Sequence, residues 1–163
     1  MSIALVRVDD RLVHGQVLLG WGPALGTRRY LIIDDDLATN EFERSLLESS
    51  GGETPVEVLD VQSGADRLLT AGENRETVVV LLRGAPESLA LAHAVRARGG
   101  RIEAINLGGL HYAPGKERMH DFVYLDAKDR AALAGLLELD VRLFVQDVPG
   151  SAPIDVPQEW IRP

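Results

Sequence analysis

The chain has no cysteine, so disulfides and thiolate chemistry are excluded and a reducing, cytoplasmic setting is expected. It has no basic block. The net charge is −8, and the single adjacent basic pair, Arg28-Arg29, reads as an exposed turn, which argues against nucleic acid as a partner. No apolar run approaches the roughly 20 residues that span a bilayer. The N-terminus has no basic segment followed by an apolar core, so no signal peptide is expected. What remains is a 163-residue chain that is 45% hydrophobic. That suffices for one domain, residues 1–163, with a sizeable core.

Strand and helix patterns alternate along it. Apolar runs at 3–8, 30–33, 56–61, 77–82, 102–107, 122–125 and 141–145 read as seven strands. The β-branched, unbroken run 77–82 belongs in the centre of a sheet, and the alternating runs 56–61 and 141–145 belong nearer its edges. Between them, helices are expected over 16–25, 40–49 (stripe Phe42, Leu46, Leu47), 62–71 (Ala65, Leu68 and Leu69 inward), 86–98 and 127–139. The predicted fold is α/β, a three-layer α/β/α arrangement with a mostly parallel sheet of about seven strands. Four prolines in 148–163 predict an extended tail rather than a helix, with Trp160 packed on the body or on a neighbouring subunit.

Chemistry concentrates where the first strand meets the first helix, in Asp9-Asp10-Arg11-Leu12-Val13-His14-Gly15-Gln16. Open α/β sheets place their sites at such junctions. A neutral imidazole at His14 has a lone pair that can attack phosphorus. Arg11 offers a fork of N–H donors to phosphoryl oxygens. The N–H groups around Gly15 and Gln16 can cradle an anion, and the missing Cβ of Gly15 admits a close donor. The plainer reading is a solvated histidine in a loop whose aspartates cap N–H groups. Gly20-x-Gly22 lacks the third glycine of a dinucleotide fingerprint. Asp34-Asp35-Asp36 suits a solvated turn into a helix better than a divalent metal site. His111 and His120 are too far apart for a short metal-ligand motif. No metal and no cofactor is therefore expected. Gly108-Gly109 lets backbone approach another loop or a phosphate, and His111 and Tyr112 read as a polar loop supporting the site.

The run Arg7-Val8-Asp9-Asp10-Arg11-Leu12-Val13-His14-Gly15-Gln16-Val17 closely resembles the phosphorylation-site segment of IIB components of the mannose/fructose/sorbose family of the bacterial phosphoenolpyruvate-dependent sugar phosphotransferase system. Trp21, Asp34-Asp35-Asp36, Ile105-Asn106-Leu107-Gly108-Gly109-Leu110 and Gly115-Lys116 extend the resemblance over essentially the whole chain. The resemblance implies that His14 carries a phosphoryl group, on Nδ1, taken from a IIA protein. It implies transfer to a sugar of the mannose/fructose/sorbose type held by membrane IIC and IID partners, with the chain cytoplasmic and peripheral to that transporter. Arg11, Gly15 and Gln16 are then the phosphate-binding candidates. Asp10, which can orient His14 or Arg11, is a supporting residue together with Gly108 and Gly109. The apolar tail hints at a homodimer. Two other readings are open at this point: a regulatory phosphohistidine protein without direct transport, and a small-molecule enzyme in which His14 is a general base oriented by Asp9 or Asp10. A deep apolar pocket beside His14 would favour the enzyme.

Overall fold

The computed structural model describes residues 2–70 and 76–162. The expected strand 77–82 is present as a run of side chains that alternate between two buried faces. Val78, Val80 and Leu82 face one apolar layer, and Val79 and Leu81 face the other. A strand covered on both sides reads as a continuous apolar run, as in parallel sheets flanked by helices. Strands β1 (Ser2–Asp9), β2 (Arg29–Ile33), β3 (Val56–Leu59), β4 (Thr77–Leu82) and β5 (Ala104–Gly109) pair in parallel, in the order β3-β2-β4-β1-β5.

On one face lie α4 (Val61–Thr70), α5 (Ala85–Ala97) and α6 (Ala127–Glu138), with Ala65, Leu68, Leu91, Val95, Leu133 and Leu136 turned inward. The other face is covered by the segment after β1. Gln16–Trp21 forms a π-helical turn that runs into α1 (Gly22–Leu25). The amide of Gly22 reaches the carbonyl of Val17, the wider spacing of a π-turn. Leu12, Val17 and Trp21 from this segment pack on Leu5, Tyr30, Ile32, Val79 and Leu81. The three-layer expectation is met. Strand β3 stands at one edge of the sheet and β4 inside it, as the patterns predicted.

Four expectations need correction. Of the stripe expected in residues 40–49, only Leu47 packs against the core. The helix itself forms there, as α3 (Glu41–Glu48) capped by the Asn40 side chain, with a separate short helix α2 (Asp35–Thr39) before it. Phe42 and Leu46 then face outward, 78% and 61% exposed. The run 122–125 is a strand, β7 (Val123–Leu125), but it pairs with β6 (Glu117–His120) in a separate antiparallel hairpin instead of joining the sheet. The seventh sheet strand comes from the tail: β8 (Arg142–Val145) lies parallel to β5, and β9 (Ile154–Asp155) pairs antiparallel to β8. The tail is also not wholly extended, because α7 (Gln158–Ile161) follows Pro157. Trp160 packs against the chain's own core, and its carbonyl accepts a hydrogen bond from Arg130 at 2.7 Å. Leu69, expected inward, is 40% exposed, and residue 71 of that helix lies outside the described residues.

Candidate functional site

Strand β1 delivers Asp9, and the connection after it leads towards β2 on one side. Strand β5 delivers Gly109, and its connection leads towards β8 on the other. Adjacent strands whose exits diverge leave a crevice at their carboxyl ends, the usual place for a site in an open α/β sheet. The amide of Asp10 donates to the carbonyl of Gly109 at 2.9 Å and closes the base of this crevice.

Beneath it lies Arg7, a fully buried charge on a mostly apolar strand. Such a charge needs partners on every side. Its Nη1 donates to Asn106 Oδ1 at 2.6 Å and to the Gln146 carbonyl at 3.0 Å. Its Nη2 reaches Asp9 Oδ2 at 3.1 Å and the Asp147 carbonyl at 3.0 Å. The Trp21 ring lies 5.4 Å from the guanidinium carbon, within cation–π range, and its Nε1 donates to the same Asp147 carbonyl at 2.9 Å. Burial pushes the Arg7 pKa down, and the Asp9 carboxylate opposes that shift.

The two glycines of β5 make room for this network. Val8 pairs with Leu107 and Asp9 with Gly109, so Gly108 is the extra residue of a bulge. A Cβ at Gly108 would collide with the Arg7 guanidinium, and one at Gly109 would stand 2.9 Å from Asp9 Oδ1. The close approach expected of this pair is therefore made by Arg7 and Asp9 themselves.

Asp9, also fully buried, holds Arg11 in a two-pronged grip. Arg11 Nε lies 3.0 Å from Oδ1 and Nη2 3.0 Å from Oδ2, while the Arg11 amide donates to Oδ1 at 3.1 Å. Hydrogen bonding to Asp9 raises the Arg11 pKa. Arg11 Nη2 also donates to Gln16 Oε1 at 3.0 Å, so the predicted Arg11 and Gln16 meet. With its side chain 38% exposed, Arg11 is the cation that an incoming anion can touch. Arg7, Arg11 and Asp9 together carry one net positive charge.

His14 completes the cluster. Its side chain is 17% exposed, a half-sheltered position and not the open loop residue the sequence suggested. Nε2 is 3.6 Å from Asp9 Oδ2, out of water and without a hydrogen-bond partner. Nδ1 is 2.8 Å from the Leu12 carbonyl. A carbonyl only accepts, so Nδ1 carries the hydrogen here. Leu12 presents that carbonyl from the left-handed region, at φ +54°, a conformation costing about 1–2 kcal/mol outside glycine. Burial of its side chain among the apolar residues under the loop offsets the strain. The carbonyl of His14 accepts from the amides of Val17 and Leu18, which begins the π-turn. Gly15 precedes that turn at an ordinary helical φ of −52°, and nothing lies within 4 Å of a Cβ placed there.

Among the described residues Asp10 makes no hydrogen bond to His14 or Arg11, though its charge helps raise the Arg11 pKa. Its Oδ2 accepts from the His111 amide at 2.7 Å, and its Oδ1 lies 2.6 Å from His111 Nδ1. The loop of His111 supports the site as expected, through this pair. Asp9, Asp10 and His111 bring ligand-type atoms within 4.8 Å of one another. Two guanidiniums already hold Asp9, and that charge opposes a cation there. The acidic turn is structural as well. Asp34 caps α2 at Leu37 and pairs with Arg83 at 2.6 Å, and Asp35 accepts from the Val61 amide at 2.8 Å. His120 stacks edge-on with Phe122. Sequence reasoning gave no role to Arg7 or Asn106, and it named Asp9 only as a cap or an orienter of His14, not as the anchor of two guanidiniums. The signal available was a charge inside an apolar strand.

The sequence profile of the family described as PTS system sorbose subfamily IIB component matches residues 3–160. The chain belongs to that family. Its relatives include the N-acetylgalactosamine-specific phosphotransferase enzyme IIB component 2 of Escherichia coli (strain K12), 31% identical over 156 residues, which are 95% of this chain and 96% of that one. The PTS system mannose-specific EIIAB component of the same strain is 29% identical over 147 residues, 87% of this chain and 44% of that longer protein. Among solved structures, the IIBSor domain of the sorbose permease from Klebsiella pneumoniae superposes with a TM-score of 0.82 at 29% identity, over 95% of this chain and 93% of that one. The IIB family is one of phosphocarrier components in sugar uptake, and both the fold and the extent of the match place this chain within it. Among the described residues no helix is long and apolar enough to cross a membrane.

Proposed function

We propose that this IIB component carries its phosphoryl group on His14, taking it from a phosphohistidine of a IIA protein and passing it to a sugar held by membrane IIC and IID partners. The observation that carries the reading is the position of His14 over the Arg7–Asp9–Arg11 network, with the space beside Gly15 open. In the transfer, a lone pair of the His14 ring attacks phosphorus. The donor's N–P bond breaks with its electron pair returning to the donor imidazole, which takes up a proton, and the phosphorylated His14 ring gives its own proton to water, so the protons balance. The ring must release the Leu12 carbonyl if Nδ1 is the attacking atom. Arg11, anchored by Asp9 and braced by Gln16, faces the charge spread over the phosphoryl oxygens, where positioning and electrostatics do most of the work. Neither metal nor nucleotide enters the scheme.

A IIA donor is supported by the mannose-specific EIIAB relative, of which this chain spans less than half. Residues 1–163 then act as one unit on the cytoplasmic side, docking at a membrane transporter. A small-molecule enzyme would be favoured by a deep apolar pocket at His14; among the described residues the apolar cavities, one beside Leu5 and Phe144 and one beside Leu125 and Ile161, are lined by other side chains.

The test is intact mass after incubation with phosphoenolpyruvate, the general phosphotransferase proteins and a IIA component. One acid-labile phosphoryl group on the wild type and none on His14→Ala is the expected result. A His14→Ala chain that still gains the group would overturn the assignment.

A further inference from the structure

Asp10 poses an electrostatic problem at a site that receives phosphate. A phosphoryl group brings a charge of about −1.5 to −2, and a carboxylate four residues from the acceptor opposes its arrival. Asp9 is matched by two guanidiniums, Arg7 and Arg11, and Arg11 also engages Gln16. Neither guanidinium is hydrogen-bonded to Asp10 among the described residues. Instead both oxygens of Asp10 turn to His111, one to its amide at 2.7 Å and one to its Nδ1 at 2.6 Å. A carboxylate only accepts, so Nδ1 carries a hydrogen and the ring tautomer is set. The Asp10 amide bond to Gly109 makes a third tie between the two loops.

We propose that His111 is a positioning residue for phosphoryl transfer. By occupying both oxygens of Asp10 it screens that carboxylate from the phosphoryl group at His14 and keeps the acceptor loop seated on β5. The inference rests on the reading of His14 as the acceptor. It assigns the two carboxylates separate partners: the guanidiniums hold Asp9, and the second imidazole holds Asp10.

The experiment measures the rate of phosphoryl uptake from a phospho-IIA donor across donor concentrations. Wild type, His111→Ala, His111→Asn and His111→Ala/Asp10→Asn are compared. His111→Ala keeps the amide tie but takes the ring N–H from Asp10 Oδ1, and should lower the saturating rate several-fold, with little change in the half-saturating donor concentration. His111→Asn keeps a side-chain N–H donor for Asp10 and should retain most of the rate. Asp10→Asn should restore most of what His111→Ala loses, because the charge that needed screening is gone. If His111→Ala transfers at the wild-type rate, or the double variant is as slow as the single, the proposal is overturned. A wild-type chain that takes no phosphoryl group would bring down the reading of His14 instead, a distinct result.

Discussion

Arg7 Nη1 lies 2.6 Å from Asn106 Oδ1, a fully buried hydrogen bond between residues 99 apart in sequence. In the sheet the two are direct neighbours, because β1 and β5 pair with Arg7 opposite Asn106. The charge under the site is therefore held by a strand that the chain reaches only two-thirds of the way along its length. Replacing Arg7 with Met leaves the buried Asn106 Oδ1 without its donor and takes one of two guanidiniums from the buried Asp9 carboxylate, and should cost about 3–5 kcal/mol of stability. Asn106→Leu removes one neutral acceptor from Arg7 and one donor from the Gln146 carbonyl, and should cost about 1–3 kcal/mol. Urea unfolding midpoints of the two variants give the comparison. An Asn106 variant less stable than the Arg7 variant would contradict this picture of the network.

Gly15 separates fold from function. Its backbone is ordinary, and a Cβ would touch nothing within the chain, so Gly15→Ala should leave stability within about 0.5 kcal/mol. Phosphoryl uptake from a donor protein should nonetheless slow several-fold, since the extra carbon stands where the donor must approach. Uptake as fast as wild type would show that no partner comes close at this position.

Arg11→Lys tests the fork. Asp9 grips Arg11 through both Nε and Nη2, and a single ammonium cannot reproduce that grip while also reaching Gln16. Uptake should fall roughly tenfold with the fold intact. Rapid-quench measurement of the transfer step reads this directly, and an unchanged rate would remove the guanidinium geometry from the mechanism.

Far from the site, Asp126 caps α6 in a reciprocal capping box with Asp129. The hydrogen bond from the Asp129 amide, aided by Lys116 and opposed by burial, lowers the Asp126 pKa. A folded pKa below the unfolded one means that the charged cap contributes its full stability above about pH 4. That contribution is lost as the pH falls through the folded value. Asp126→Ala should cost about 1 kcal/mol near neutrality. The difference in Tm between wild type and variant should shrink below pH 4. A difference that stays constant down to pH 3 would mean that ionisation is not what the cap supplies.

The strands that the sequence revealed were those whose identity depends on their own residues. Thr77–Leu82 is apolar on both faces and could be little else. β7 was visible as a strand, but its partner was not, because Glu117-Arg118-Met119-His120 has no apolar pattern and becomes a strand only by pairing with β7. β9 is two residues long and exists by leaning on β8. The site divides in the same way. His14, Arg11 and Gln16 sit within one short segment and were legible together. The partners of Asp9 come from β1 and the segment after it, and the partner of Asp10 comes from the loop after the neighbouring strand β5. Strand pairing between β1 and β5 sends Asp10 to His111, and no local spacing carries that information. Gly108 and Gly109 were noticed as glycines, but what fills their missing side chains, the Arg7 guanidinium and Asp9, follows only from register.

The antiparallel strand β9 has a consequence for how this protein keeps to itself in a crowded solution. A sheet with an uncovered border strand offers free amides and carbonyls to any other extended chain, a route to aggregation. Arg142–Val145 would be such a border, with Leu143 and Val145 buried in the apolar layer beneath it. The tail lays Ile154–Asp155 along that border, places an ion pair across it between Arg142 and Asp155 at 2.7 Å, and then fastens itself through Ile161 and the Trp160 carbonyl. Cleavage in the segment 148–153 would therefore cost the protein its solubility, because the sheet would gain a sticky margin that the intact chain conceals.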